Sequence, residues 1–151
     1  MRNDFGRICD VGTVHVPYLI SLESYASVHQ LVSTIRGQLR NELSIVDAII
    51  ATFPGGSMTG APKIRTMEII DSLENTSRGV YSGSIGFIGM NGVADLNIVI
   101  RTAVITGDEL RIGAGGAIVA LSNTQNEVDE VILKACAVSK SVGIDENKIV
   151  M

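Results

Sequence analysis

The clearest periodic signal lies toward the C-terminal end of the chain. From Ser122 or Asn123 to about Val142, apolar Val128, Val131, Ile132, Ala135, Val138 and Val142 recur at helical spacing and predict an amphipathic helix. At about 100° per residue, Glu127, Glu130 and Lys134 fall within a narrow arc beside that apolar stripe. Ser44 is a candidate N-cap, with Asp47 three residues on and an apolar run to Phe53, which predicts a short helix stopped by Pro54-Gly55-Gly56. A further helix is expected with Thr59 as cap and Pro62 in its first turn. Ile64, Met67, Ile70 and Leu73 form its apolar side, and Asn75 stops it. After Gly79 the period changes to two. Residues 81–89 and 93–106 flank Met90-Asn91-Gly92, and Asn-Gly between alternating runs predicts a hairpin with a type I′ turn. Gly107-Asp108 makes a second turn into residues 110–120, so a three-stranded antiparallel meander is expected. Along residues 93–106, Leu96, Ile98, Ile100 and Val104 share one face, predicted to pack a core. Asp95, Asn97, Val99 and Arg101 share the other, predicted to look into water or a polar cavity. Upstream the signal is weaker: residues 13–16 alternate weakly, as a strand would. Residues 27–35 set Val28, Leu31, Val32 and Ile35 around His29, with strand and helix both open, before Gly37 breaks the pattern.

Composition narrows the class. The 151 residues suit one domain or a piece of one, and 46% hydrophobic with 19% charged residues is the balance of a globular chain with a core. A net charge of −4 and the absence of Trp argue against nucleic-acid binding, which needs a basic stripe or a stacking platform. No apolar run approaches the roughly 18 residues of a membrane span, and Asn97 and Arg101 interrupt the longest. Met1-Arg2-Asn3-Asp4 opens no signal-peptide core. Cys9 and Cys136 are far apart and lack His neighbours, which fits neither a disulfide framework nor zinc and favours the reducing cytoplasm. The sixteen glycines sit in clusters, where backbone N–H groups can approach a ligand closely.

Each cluster has an ordinary explanation beside a chemical one. Pro54-Gly-Gly-Ser-Met-Thr-Gly-Ala-Pro-Lys63 fails the phosphate-loop pattern, because Ala61-Pro62 follows Gly60. It still presents a Gly-rich turn at a helix start, and a plain capped helix start is the favoured explanation for the motif alone. Gly113-Ala-Gly-Gly-Ala117 sits inside a strand pattern, as a bulge or as a backbone cradle for a carboxylate. Glu127 and Glu130 could supply oxygens to Mg²⁺, although spacing alone favours a solvated face with a Glu130–Lys134 pair. Arg101 could grip a carboxylate or make a cross-strand ion pair. His29 could act as a general acid, although a lone His is more often structural.

Taken in order, these stretches resemble one family. Arg2-Asn-Asp-Phe-Gly-Arg7, Glu23-Ser-Tyr-Ala-Ser-Val-His-Gln-Leu-Val-Ser33, the 54–63 stretch, Tyr81-Ser-Gly-Ser-Ile-Gly86, Ile100-Arg-Thr102, Gly113-Ala-Gly-Gly-Ala-Ile-Val119 and Glu127-Val-Asp-Glu130 are similar to the chorismate-binding enzymes. Pro-Gly-Gly-Ser and Ser-Met-Thr-Gly-Ala-Pro-Lys look most like the aminodeoxychorismate synthase component I branch, with anthranilate synthase component I next. The resemblance implies an α+β fold: antiparallel strands of a two-sheet sandwich with helices packed outside, incomplete at the N-terminal side. The chain, 1–151, would be the C-terminal third of a chorismate-binding domain.

The resemblance also implies roles. His29 would be a general acid at the chorismate C4 hydroxyl. Ser57 would line the pocket, Tyr81 and Arg101 would hold one carboxylate, and Gly115 and Gly116 would cradle the other. Glu130, with Glu127 beside it, would hold Mg²⁺, and Lys134 would stand close to the substrate anion. The implied reaction converts chorismate and ammonia to 4-amino-4-deoxychorismate, on the way to para-aminobenzoate and folate, with ammonia from a glutamine amidotransferase partner. The isolated chain is expected to be inactive. The alternatives are an anthranilate synthase, or a non-catalytic truncated product that dimerises through exposed sheet edges.

Overall fold

The computed structural model describes residues 1–25 and 29–144. Val28, expected among the apolar positions around His29, lies outside them, as do Ala26 and Ser27 of the quoted motif. Contacts divide the chain into two compact units, residues 1–56 and 57–151. The strands are all antiparallel and pair two by two into three small sheets, so the expected α+β class holds.

The first unit holds α1 (Arg2–Phe5), β1 (His15–Ser24), β2 (His29–Arg36) and α2 (Ile45–Thr52). Among its described residues Asp4, Ile8 and Cys9 are buried. Residues 29–35 of the stretch left open between helix and strand form most of β2, and the strand signal at 13–16 extends much further, to Ser24. The weak alternation there has a cause. Register shifts interrupt the pairing between His15 and Ser21, and Ile20 takes φ 51°, so side chains do not alternate cleanly. The cap on α2 is as predicted: the Ser44 side chain accepts from the Asp47 N–H, and the Asp47 carboxylate accepts from the Ser44 N–H at 2.8 Å.

The second unit begins within the short α3 (Gly56–Thr59) and continues through α4 (Lys63–Leu73), β3 (Ser84–Ile88), β4 (Ala94–Ile98), β5 (Ala103–Thr106), β6 (Glu109–Ile112) and α5 (Thr124–Ser141). Thr59 is not the cap of α4: it ends α3, and Pro62 itself stands at the N-cap, one place before the expected first turn. The three-stranded meander is also corrected. Its middle strand breaks after Ile98, giving two separate hairpins, β3–β4 and β5–β6. At the break Arg101 has φ 49°, and the Ile100 N–H turns back to the Ile98 carbonyl. Facing is lost with it. Val99, expected on the polar side, is 2% exposed, whereas Ile100, expected in the core, is exposed.

The 90–92 turn has a different geometry from the one predicted. Gly89 and Val93 close a three-residue loop, and only Gly92 has positive φ, at 82°. That is a turn followed by a glycine bulge, with the Val93 N–H donating to Asn91 Oδ1 at 3.2 Å. The third predicted strand stops at Ile112, so residues 113–120 form no strand.

Helix α5 matches its predicted span. The Asn123 side chain accepts from the N–H groups of Gln125 and Asn126, at 3.1 and 3.2 Å. Its apolar stripe is only partly buried: Val138 is covered together with Cys136 and Ser139, while Val128 and Val142 are exposed. Asn123→Ala should cost the second unit about 1 kcal/mol through the lost cap. Urea unfolding followed by helix circular dichroism measures it, and an unchanged midpoint would deny the cap that role.

Candidate functional site

The loop after β6 cannot follow the pleat, because of what stands beside it. A Cβ on Gly113 would run into the ring of Tyr81. A Cβ on Gly115 would stand 2.8 Å from the Tyr81 hydroxyl oxygen, and one on Gly116 3.3 Å from Glu127 Oε2. Glycine is therefore required at 113 and 115 by close approach, with no positive φ involved. Among the described residues, no hydrogen bond takes up the backbone N–H groups of 113–118. A run of free N–H donors on a half-buried loop is suited to a carboxylate.

Helix α5 closes the other side. Lys134 Nζ donates to the Gly115 carbonyl at 3.1 Å and pairs with Glu130 Oε1 at 2.5 Å, its side chain 32% exposed. One turn earlier, Glu127 lies against Gly116. The i, i+4 pair expected on a solvated face is thus present, but its ammonium also orients the cradle backbone. A cavity of about 440 Å³ opens beside it, lined by Ile118, Ser122, Thr124, Glu127, Val128 and Val131. The exposed Val128 of the helix stripe is therefore cavity wall.

Six of the nine residues expected in the site come together here: Tyr81, Gly115, Gly116, Glu127, Glu130 and Lys134. Arg101 does not visibly join them. It is exposed at the break after β4, and its side chain makes no hydrogen bond or ion pair to a described residue. The alternation used to place it ends three residues earlier, at Ile98. Ser57 is exposed in α3. His29 belongs to the first unit. It is exposed at the start of β2, with Nδ1 2.9 Å from Ser24 Oγ on the paired strand.

Arg78 and Ser82, given no role by the sequence, also meet beside Tyr81. Arg78 Nε and Nη2 donate to the two oxygens of Glu74 at 2.8 and 2.6 Å. Its Nη1 donates to the Met58 carbonyl at 2.8 Å and to Ser82 Oγ at 3.3 Å. Ser82 is buried with φ 71°, directly after Tyr81. The i, i+4 spacing of Glu74 and Arg78 was a usable signal, but both lie beyond the helical periodicity of α4. The hydrogen bond from Arg78 holds the Glu74 carboxyl below its usual range. A depressed folded pKa stabilises above the unfolded value, and that stabilisation is lost as pH falls through the folded one. Thermal unfolding should accordingly show wild type losing more stability than Glu74→Gln as pH drops below the ordinary Glu range. Parallel curves would show no such contribution.

Glu127 and Glu130 are the acidic donors at the cradle, and no group of three or more His, Cys, Asp or Glu side chains is assembled among the described residues. Two carboxylates with room for water and a ligand oxygen fit Mg²⁺, which is often held by one or two carboxylates plus substrate. They do not make a closed all-protein cage.

The chain is 60% identical over 142 residues to the chloroplastic aminodeoxychorismate synthase of Arabidopsis thaliana, covering 94% of this chain and 16% of that protein. It is 58% identical over 135 residues to the aminodeoxychorismate synthase of Streptomyces pristinaespiralis, covering 89% of this chain and 19% of that one. The crystal structure of anthranilate synthase component I from Streptococcus pneumoniae superposes with a TM-score of 0.84 at 42% identity, covering 91% of this chain and 32% of that one. The chain thus spans less than a third of each. The family model described as chorismate binding enzyme matches residues 1–140, and the chain belongs to that family.

Proposed function

We propose that the chain supplies the carboxylate cradle and the acidic helix edge of an aminodeoxychorismate synthase. That enzyme would convert chorismate and ammonia to 4-amino-4-deoxychorismate for para-aminobenzoate and folate synthesis. The carrying observation is the 113–116 loop, with its free N–H groups, closed by Tyr81 on one side and Lys134 on the other. Identities of 55–60% to aminodeoxychorismate synthases favour that product over anthranilate, whose synthases stand at 41–47%.

The charges support a cation. Glu127 faces Gly116 where an incoming carboxylate would lie, and like charges at that range repel unless a cation intervenes. Mg²⁺ held by Glu127 and Glu130 would supply that positive charge and polarise the substrate oxygens. Lys134 would hold the Gly115 carbonyl back, so that the cradle presents N–H groups to the anion. Tyr81 would stack along the loop and offer its hydroxyl. Arg101, Ser57 and His29 keep their implied roles as part of the same proposal: carboxylate contact, pocket lining and general acid for hydroxyl departure.

An amidotransferase partner supplying ammonia belongs to the proposal too, as does a cytoplasmic location. Both cysteines are buried free thiols, the state a reducing compartment maintains. Association of two copies through sheet edges is a further element, since every strand of a two-stranded sheet is an edge strand.

Transplantation tests the proposal. The chain should replace the matching segment of the Streptomyces aminodeoxychorismate synthase and sustain 4-amino-4-deoxychorismate formation, identified by chromatography. The isolated chain with chorismate, ammonium and Mg²⁺ should form none above the no-protein rate. A folded but inactive chimera would count against the proposal, and anthranilate as product would transfer it to the other branch.

A further inference from the structure

We propose that Arg78 is a positioning residue, whose guanidinium fixes both the Tyr81 side of the cradle and the turn that carries Ser57. This rests on the reading that Tyr81 and the 113–116 loop hold the substrate. The guanidinium spends its donors in three directions at once. Nε and Nη2 donate to Glu74, just beyond α4, and Nη1 donates both to the Met58 carbonyl next to Ser57 and to Ser82 Oγ. A planar fork with several fixed donors suits this, whereas a lysine ammonium would reach one or two partners without the bidentate grip.

What Arg78 holds is strained. Ser82 sits at φ 71°, a region that side-chain-bearing residues adopt only when their surroundings impose it. Two anchors impose it here: the Ser82 N–H donates to the Val99 carbonyl at 2.9 Å, and its hydroxyl meets Arg78. Tyr81 is the preceding residue, and its ring occupies the space a Gly113 side chain would need. A small rotation at Ser82 therefore moves the ring off the loop. On the other arm, Met58 belongs to the four-residue α3, too short to hold itself in water. One side chain thus ties two glycine-bearing segments of the unit to the same point.

The test uses the full chain without ligand, by nuclear magnetic resonance. A ring packed on Gly113 shifts its α-proton resonances strongly upfield, and that displacement reports the place of Tyr81. Arg78→Lys and Arg78→Met should each lose at least half of it, while resonances within the β5–β6 hairpin and α5 stay in place. Glu74→Gln, which keeps the guanidinium and its contacts to Met58 and Ser82, should lose less than either. Gly113 α-proton resonances that keep their wild-type upfield displacement in a folded Arg78→Lys chain overturn the proposal, even if the melting temperature has fallen, since that is the mark of a merely structural residue. Should Arg78→Met fail to fold, the lysine variant decides. Chorismate added to the wild type reads the substrate role separately. Failure to perturb Tyr81 or residues 113–116, with the ring-current result intact, would remove the substrate reading and leave the positioning role standing.

Discussion

Gly113→Ala should be the most damaging single-carbon change in the 113–116 cradle. The added Cβ would collide with Tyr81 Cγ and Cβ, so either the side chain or the loop must move. Overpacking of this kind costs about 1–3 kcal/mol, and the upper end is expected because the neighbour is a wedged aromatic ring. Activity should suffer more than stability, because displacing Tyr81 also displaces the face it presents to the cradle. In the transplanted enzyme, kcat/KM should fall by about 10²-fold, the scale of a misplaced site group. Gly107→Ala is the control. Gly107 has φ 59° with nothing within 4 Å of an added Cβ, so that variant should lose about 1–2 kcal/mol to backbone strain and keep its activity. Equal activity losses in the two variants would show that the Tyr81–Gly113 contact has no special part in the site.

Lys134→Met should reduce kcat/KM by about 10²–10³-fold, the range for losing one preorganised electrostatic group. Methionine keeps the aliphatic stem and removes the ammonium, so the change is read at two places. The Gly115 carbonyl loses its donor and is free to swing into the cradle, and Glu130 loses its ion pair. The first effect separates this residue from a simple surface pair, worth about 0–1 kcal/mol in stability and nothing in catalysis. Steady-state kinetics of the transplanted enzyme decide it. Unchanged kcat/KM with slightly lowered stability would return Lys134 to the solvated face that spacing alone favoured.

Legibility in the sequence followed locality. Asn123, Ser44 and Asp47 were readable because a cap is a contact between near neighbours, and α2 and α5 have the expected bounds within a residue. The arc of Glu127, Glu130 and Lys134 was readable because helical geometry alone puts them together. Facing fails from Val99 to Arg101 because period two assumes a continuous strand, and no residue between Ile98 and Ala103 announces the break. The cradle was read as part of a strand because Gly113 and Gly115 are demanded by Tyr81, some thirty positions upstream, and period carries no record of such a contact. Arg78 shares this only through Met58, twenty positions upstream; Glu74 and Ser82 are four residues away on either side, in a stretch without helical or strand periodicity. The roles given to the cradle, the acidic pair and Lys134 came from motif resemblance, since spacing alone favoured ordinary explanations for each.

The central claim is that an anion cradle and an acidic edge share one site and need a cation between them. Calorimetric titration of Mg²⁺ into the chain, with and without chorismate, tests it most directly. Coupling between two ligands is reciprocal, so each should strengthen the other. Mg²⁺ alone should bind weakly, because one helix edge offers too few oxygens for a hard cation. Saturating chorismate should tighten Mg²⁺ binding by about tenfold or more, about 1.4 kcal/mol of coupling, and Glu127→Gln should abolish the gain. A tight stoichiometric Mg²⁺ site without chorismate, or affinities for the two that ignore each other, would contradict the account.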